Sequence, residues 1–274
     1  MKLMERRARL GRPLVMGIVN ATGDSFFAAS RASGEAAVAA GLRLAEEGAD
    51  LVDVGGESTR PGSDPVSEDE ESARVLPIVE ALAARLKIPV SIDTAKAAVA
   101  RRALDAGAGV LNDILALRAP GMLEAAVRYP LVVLMHMQGV SPKTMQADPR
   151  YDDCAGEVRG FLAERLAAFR AAGGDSARAW VDPGLGFGKT LEHNLELMRR
   201  LEDLTVLGPV LVGASRKSFL GRLLASEGAP LPPEERLEAS LAAACRAAEA
   251  GTVCVRVHDV RATVRALEAW KALR

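Results

Sequence analysis

LVDVGGESTRPGSDPVSEDEESARVLPIVEALAARLKIPVSIDT, residues 51–94, decides the fold. A short β-branched apolar run gives way to a loop of Gly, Pro and Ser, then to charges at helical spacing, then to a second apolar run. This is one repeat of a βα pattern, and it extends both ways along the chain. Eight strands are expected: LVMGIVN (14–20), LVDVGG (51–56), VSIDT (90–94), VLNDI (110–114), LVVLMHM (131–137), AWVDPG (179–184), VLVGAS (210–215) and VCVRVHD (253–259). Helices are expected at about 34–48, 68–86, 95–106, 120–128, 154–173, 191–202, 233–250 and 259–272. Eight units in 274 residues favour an α/β fold of the (β/α)8 TIM-barrel type, a single domain over 1–274, because closure leaves no strand edge unpaired. SRASG (30–34), ESTRPGSDPVSED (57–69) and QGVSPKTMQADPRYDD (138–153) each follow a strand, so they read as long loops on the catalytic face.

Composition narrows the function. Thirty-five Lys and Arg nearly cancel 36 Asp and Glu, so no overall field draws nucleic acid, and any basic site must be local. Cys154, Cys245 and Cys254 are scattered and suit packing in a reducing compartment, and the three histidines complete no zinc constellation. LVMGIV is too short for a signal core or a membrane span, so a cytoplasmic protein without membrane contact is expected. Few Asn and Gln, abundant Ala and an excess of Arg over Lys fit either a GC-rich genome or a hot habitat.

Polar residues follow the apolar runs: Asn20, Asp53 with Glu57, Asp93, Asn112 with Asp113, His136, Asp182, Ser215 with Arg216 and Lys217, and Arg256 with His258. A barrel gathers such strand ends round one mouth. Asp93 and Asp182 read as functional carboxylates; Thr94, Ser67 and Asp113 read equally as helix caps. VDPGLGFGK (181–189) has glycines that let backbone approach a ligand, and Phe187 is an aromatic with no core to explain it. Its GLGFGKT lacks the register of a phosphate loop. GASRKSFLG (213–221) and RVHD (256–259) place cations after strands seven and eight, where barrels commonly hold phosphate. Arg60 in STRPG lies on a loop able to cover the mouth. His136 reads as a buried histidine satisfied by a neighbour or as a functional one, and His193 as a surface residue. A metal here would be a hard ion, Mg²⁺, with Asn20 as a neutral oxygen ligand.

Taken in order, GIVNATGDSF (17–26), GGESTRPG (55–62), SIDT (91–94), ND (112–113), LMHMQG (134–139), PKTMQ (142–146), DPGLGFGK (182–189), SRKSFLG (215–221) and RVHDV (256–260) resemble the dihydropteroate synthases over nearly the whole chain. The resemblance implies condensation of a pterin methyl diphosphate with p-aminobenzoate, assisted by Mg²⁺, in a homodimer joined through barrel helices. It implies a pterin pocket of Asp93, Asn112, Met135, Asp182, Gly213, Lys217 and Arg256, with Asp93, Asp182, Lys217 and Arg256 as catalytic groups. Thr59, Arg60, Pro61, Phe187 and Ser218 match the p-aminobenzoate site. Asn20, Arg60, Arg256 and His258 match the diphosphate contacts, and Asn20 the metal.

The chain departs from the family in its first loop. Gly23 stands where proline is usual, and Phe27-Ala28-Ala29-Ser30 replaces an acidic, glycine-rich run, which weakens any role carried to Asp24, Ser25 or Phe26. Three rivals remain: a corrinoid-linked methyltetrahydrofolate methyltransferase, a lyase with Lys217 as Schiff base, and a pterin-binding protein without turnover.

Overall fold

All eight apolar runs form parallel strands: β1 (Leu14–Asn20), β2 (Leu51–Gly55), β3 (Val90–Asp93), β4 (Val110–Asp113), β5 (Leu131–Met135), β6 (Ala179–Asp182), β7 (Leu211–Val212) and β8 (Cys254–Val257). The computed structural model describes residues 2–21, 27–59, 62–139, 141–225 and 228–274, with backbone alone at 2 and 27–33. Strands pair in the order β6-β5-β4-β3-β2-β1-β8-β7. The circle is completed between β6 and β7 by one bridge, Val181 to Val210, and by the Val181 amide donating to the Pro209 carbonyl at 2.9 Å. This is the (β/α)8 barrel that the repeat predicts.

Period-two alternation sorts the strand residues into two environments. Val52, Val54, Ile92, Leu111, Val132, Leu134, Val181, Val212 and Val255 point outward into the core shared with the helices. Their neighbours point inward and change character along the axis. At the lower end Leu14, Met16, Leu51, Val110, Leu131, Val133, Trp180, Leu211 and Cys254 fill the barrel with hydrocarbon. Above them come Asp53, Ser91, Asp93, Asn112, Asp182 and Arg256. The polar layer therefore sits on an apolar floor, open only at the C-terminal mouth.

The helices are α1 (Lys2–Leu10), α2 (Phe27–Glu46), α3 (Glu68–Arg85), α4 (Ala97–Asp105), α5 (Met122–Val127), α6 (Cys154–Ala171), α7 (Leu191–Arg199), α8 (Glu202–Thr205), α9 (Ser218–Leu224), α10 (Leu237–Glu249) and α11 (Val260–Leu273). Two expectations need correction. SRASG is not a loop but part of α2, because the alanines around it propagate a helix through isolated Ser and Gly. The segment after Lys217 forms α9 before the expected helix at 233–250 begins. Helix α1 was not foreseen, its charge hiding an apolar edge; Leu3 and Leu10 pack against the barrel floor. Elsewhere the local chemistry is as read. Ser67 caps α3 by accepting from the Glu70 amide at 3.1 Å, and four acidic residues occupy that first turn, where the helix dipole favours them.

The floor is locked by one carboxylate. Asp50, fully buried, accepts from Arg12 Nη1 and from the Val15 amide, both at 2.9 Å, and from Arg6 Nε. Arg12 is only 5 % exposed, so removal of Asp50 would leave this buried cation with the half-exposed Glu268, 3.0 Å from its Nε, as its remaining carboxylate. Asp50→Ala should lower the unfolding free energy by about 3–5 kcal/mol, read from urea denaturation, while the surviving folded fraction keeps its turnover.

Candidate active site

Strand register carries the polar side chains to one level. Gly55 pairs with Asp93, Asp93 with Asn112, and Met135 with Asp182. Inside the barrel Asp53 is a hub: its Oδ2 accepts from Arg256 Nε at 2.6 Å and from Asn112 Nδ2 at 3.0 Å. Arg256 Nη2 reaches Asp93 Oδ2 at 2.7 Å. The guanidinium thus spans two carboxylates in a fixed plane, the arrangement at which arginine excels. Burial alone would lower the proton affinity of Arg256, but the charges of Asp53 and Asp93 more than offset it and raise it above its ordinary value. Burial pushes Asp93 up to about 7 against the pull of Arg256, with Asp53 adding like-charge repulsion.

Across the mouth, Asp182 is 4 % exposed and its Oδ1 accepts from the Gly184 amide at 2.7 Å. Burial raises its pKa, opposed chiefly by Lys217. Burial likewise lowers Lys217 to about 8, with Asp182 pulling it back up. The Lys217 ammonium donates to the Leu185 carbonyl and lies 4.7 Å from the centre of the Phe187 ring. Gly213 shows how these groups converge. A Cβ built there would lie 3.8 Å from Lys217 Nζ, 3.8 Å from Arg256 Cβ and 4.0 Å from Asp182 Oδ2. Any side chain would crowd the Asp182 carboxylate, the Lys217 ammonium and the Arg256 stem, and glycine keeps that space open.

One wall of this space is apolar. Ile114, Met135, Met137, Met145 and Phe187 pack together above the polar layer. Phe187 therefore does have a core, a small one made by loops at the mouth, contrary to the expectation from sequence. The turn that carries it depends on Gly184, whose φ is +65° and where a Cβ would fall 1.8 Å from the His136 carbonyl oxygen.

Of the residues expected at the site, Asp93, Asn112, Met135, Asp182, Gly213, Lys217, Arg256 and Phe187 are brought together. Asn20 ends β1 with an exposed side chain, beside Gly55 in register. His258, half-buried after β8, has Nδ1 3.1 Å from Ser215 Oγ, which also accepts from the His258 amide. Thr59 is half-buried in its loop, and Ser218 is exposed at the start of α9. Arg60, Pro61 and the altered first-loop residues 23–26 lie outside the described residues, as do the side chains of 27–30.

The pair of adjacent cations is split. Arg216 is a structural residue: its guanidinium holds Asp259 through two bonds of 2.8 and 2.5 Å, and its amide donates to Ser240 Oγ at 3.0 Å. These contacts hold it at φ +57°, unusual for a residue with a side chain. Only Lys217 of the two faces the pocket. Thr94 and Asp113 act as local caps, accepting from Lys96 and from Leu115 and Leu117 amides respectively. His136 is buried against Lys189, and His193 completes a capping box with Thr190. Sequence reading placed Asp53 among the strand-end groups round the mouth without giving it a specific role, and overlooked Ile114. The signal for Asp53 was its carboxylate inside the apolar run LVDVGG, which a strand cannot bury without a cation.

The comparisons agree with this geometry. The family model described as pterin binding enzyme matches residues 16–258. A dihydropteroate synthase of Escherichia coli K12 is 46 % identical over 267 residues, covering 96 % of this chain and 92 % of the relative. Among solved structures, Xanthomonas albilineans dihydropteroate synthase with 4-aminobenzoic acid is 51 % identical with a TM-score of 0.87, covering 96 % of this chain and 94 % of that one. The same enzyme in complex with 7,8-dihydropteroate aligns at 48 % identity and a TM-score of 0.83, with the same coverage. A full-length match of this depth, on a barrel whose mouth gathers the motif residues, means that the chain belongs to the pterin-binding enzyme family and, within it, to the dihydropteroate synthases.

Proposed function

We propose that the chain joins the methylene of 6-hydroxymethyl-7,8-dihydropterin diphosphate to the amino group of p-aminobenzoate, giving 7,8-dihydropteroate and diphosphate. The observation that carries this reading is the convergence of the Asp182 carboxylate, the Lys217 ammonium and the stem of Arg256 within 4.0 Å of one point at Gly213, beside an apolar wall. Carboxylate, cations and a flat hydrocarbon face together suit a heterocycle that is a donor along one edge and carries phosphates.

In this reading Asp182 accepts the pterin's 2-amino and ring N–H groups, a good match for two parallel donors. Asn112 commits its Nδ2 to Asp53, which leaves its buried Oδ1, without a partner among the described residues, as an acceptor for the same ring. Met135 lines the ring and Arg256 lies against its face, reaching the diphosphate together with Asn20, Arg60 and His258. Thr59, Arg60, Pro61, Phe187 and Ser218 surround p-aminobenzoate. The methylene C–O bond breaks first, leaving positive charge on the pterin, which the Asp182 carboxylate stabilises while Lys217 and Arg256 favour the departing anion. The arylamine lone pair then forms the C–N bond and its surplus proton passes to solvent, so no strong base is needed.

Asn20 presents a neutral amide oxygen at the lip, and the described residues form no cluster of three His, Cys, Asp or Glu. That donor set fits Mg²⁺ held by Asn20, the diphosphate oxygens and water. Bound there, Mg²⁺ would neutralise charge on the diphosphate.

We further propose that residues 1–274 act as one domain and that two copies associate through barrel helices, where α9 leaves Leu223 and Leu224 exposed. No described helix is long and apolar enough to cross a membrane, and buried, unpaired Cys154 and Cys254 suit the reducing cytoplasm. A lyase reading of Lys217 would draw on its lowered proton affinity, but that ammonium already holds the Leu185 carbonyl.

With Mg²⁺, purified protein should release diphosphate only when both the pterin diphosphate and p-aminobenzoate are present, and a sulfonamide should compete with the latter. Release without p-aminobenzoate, or trapping of the protein by borohydride, would refute the assignment.

A further inference from the structure

Every carbonyl of the turn at residues 184–188 is claimed by a side chain. Lys217 takes that of Leu185 from the pocket side. Gln146 donates to the Gly186 carbonyl at 2.5 Å and Tyr151 Oη to that of Gly188 at 3.0 Å, both from the loop after β5. The remaining two belong to Lys189. Its ammonium donates to the Gly184 and Phe187 carbonyls at 3.0 Å each and lies 2.9 Å from His136 Nδ1.

Lys189 has no place in the mechanism above, and it is only 4 % exposed. No carboxylate among the described residues bonds to it; its three acceptors are neutral. Burial pushes it down to about 7, and burial with the adjacent ammonium pushes His136 down to about 2, so the imidazole is neutral and offers Nδ1 as an acceptor. A methionine would fill this volume without the desolvation that a buried ammonium incurs. What the ammonium adds is orientation: it turns the first and fourth carbonyls of the turn away from the pocket, while the second faces Lys217. Phe187, between them, is thereby held with its ring over the Lys217 ammonium.

We infer that Lys189 is a positioning residue for the arylamine half of the reaction, fixing the 184–188 turn from behind so that Phe187, set against the Lys217 ammonium, meets the second substrate in one geometry. The inference rests on the proposed reaction, because it assigns the Phe187 side of the pocket to p-aminobenzoate. Pterin contacts from Asp93 and Asn112 come from β3 and β4, which Lys189 does not touch, and Asp182 meets the turn only through the Gly184 amide, whereas Phe187 is held at its own carbonyl, so the p-aminobenzoate half should respond more strongly.

The test compares wild type, Lys189→Gln and Lys189→Met. Steady-state kinetics gives kcat and the KM for p-aminobenzoate, and calorimetry gives the Kd for 6-hydroxymethylpterin without p-aminobenzoate. In Lys189→Met the KM for p-aminobenzoate should rise about tenfold or more, with the pterin Kd within about twofold and a cooperative thermal transition retained. Lys189→Gln keeps amide donors and should fall between, and it carries the test should the methionine variant fail to fold. A purely structural role would lower Tm and leave the KM unchanged, or worsen both substrates together; either result overturns the inference. If wild type binds pterin but forms no product, the proposed reaction fails and this inference with it. If wild type turns over and both variants keep its KM, only the inference fails.

Discussion

Asp182→Asn should abolish measurable pterin binding while leaving the barrel folded. The substitution keeps an oxygen to accept from the Gly184 amide, so the turn at 184–188 retains its first anchor. It replaces a carboxylate facing two donors by an amide that offers an acceptor and two donors of its own. Two charge-assisted bonds are lost at about 1.5–3 kcal/mol each, and one is replaced by donor against donor. A loss of about 3–6 kcal/mol corresponds to a Kd raised roughly 10²–10⁴-fold. Titration calorimetry with 6-hydroxymethylpterin reads this directly, and a wild-type-like isotherm would remove Asp182 from the pterin site. The lysine opposite should respond too. With the neighbouring carboxylate neutralised, Lys217 loses the group that pulls its proton affinity back up, so its titration should move to lower pH.

Arg256→Met should produce two separable losses. Asp53 is fully buried and takes both its charged partner and the orientation of Asn112 from this corner of the barrel. Removing the guanidinium leaves Asp53 and Asp93 facing each other without a cation, which should cost about 3–5 kcal/mol of stability. Turnover should fall about 10²–10³-fold or more, since the cation nearest both pterin and diphosphate is gone. The double variant Asp53→Asn with Arg256→Met distinguishes the effects. It should recover much of the stability, because only Asp93, which burial already pushes up to about 7, is then left without its cation, and none of the turnover. Recovery of turnover would mean that Arg256 acts only as a strut.

How far the sequence could be read depends on what each residue answers to. The strands were legible because β-branched runs alternate with alanine-rich helices at a fixed rhythm, and the carboxylates at their ends were conspicuous against hydrocarbon. Asp182, Lys217 and Arg256 sit at strand ends, so their convergence followed from topology alone. Helix α1 escaped because only Leu3 and Leu10 face the floor, while three arginines, a glutamate and a lysine colour the rest. SRASG misled because Ser and Gly are punctuation only when their neighbours are not alanine. Arg216 and Lys217 look alike in sequence. What separates them is Asp259, 43 residues away, which the fold delivers to one and not the other. The apolar wall of Ile114, Met137 and Met145 has no periodic signature, since two separate loops supply it.

The barrel's seam runs between β6 and β7, where a lone bridge does the work of a ladder. Asp182 ends the strand on one side of that seam; Gly213 and Lys217 follow the strand on the other. A ring gripped by the carboxylate on the left bank and the ammonium on the right would stitch the two together. In the proposed complex, substrate held from both banks would tie the cylinder where backbone pairing is sparsest, so pterin should raise the thermal stability of this seam.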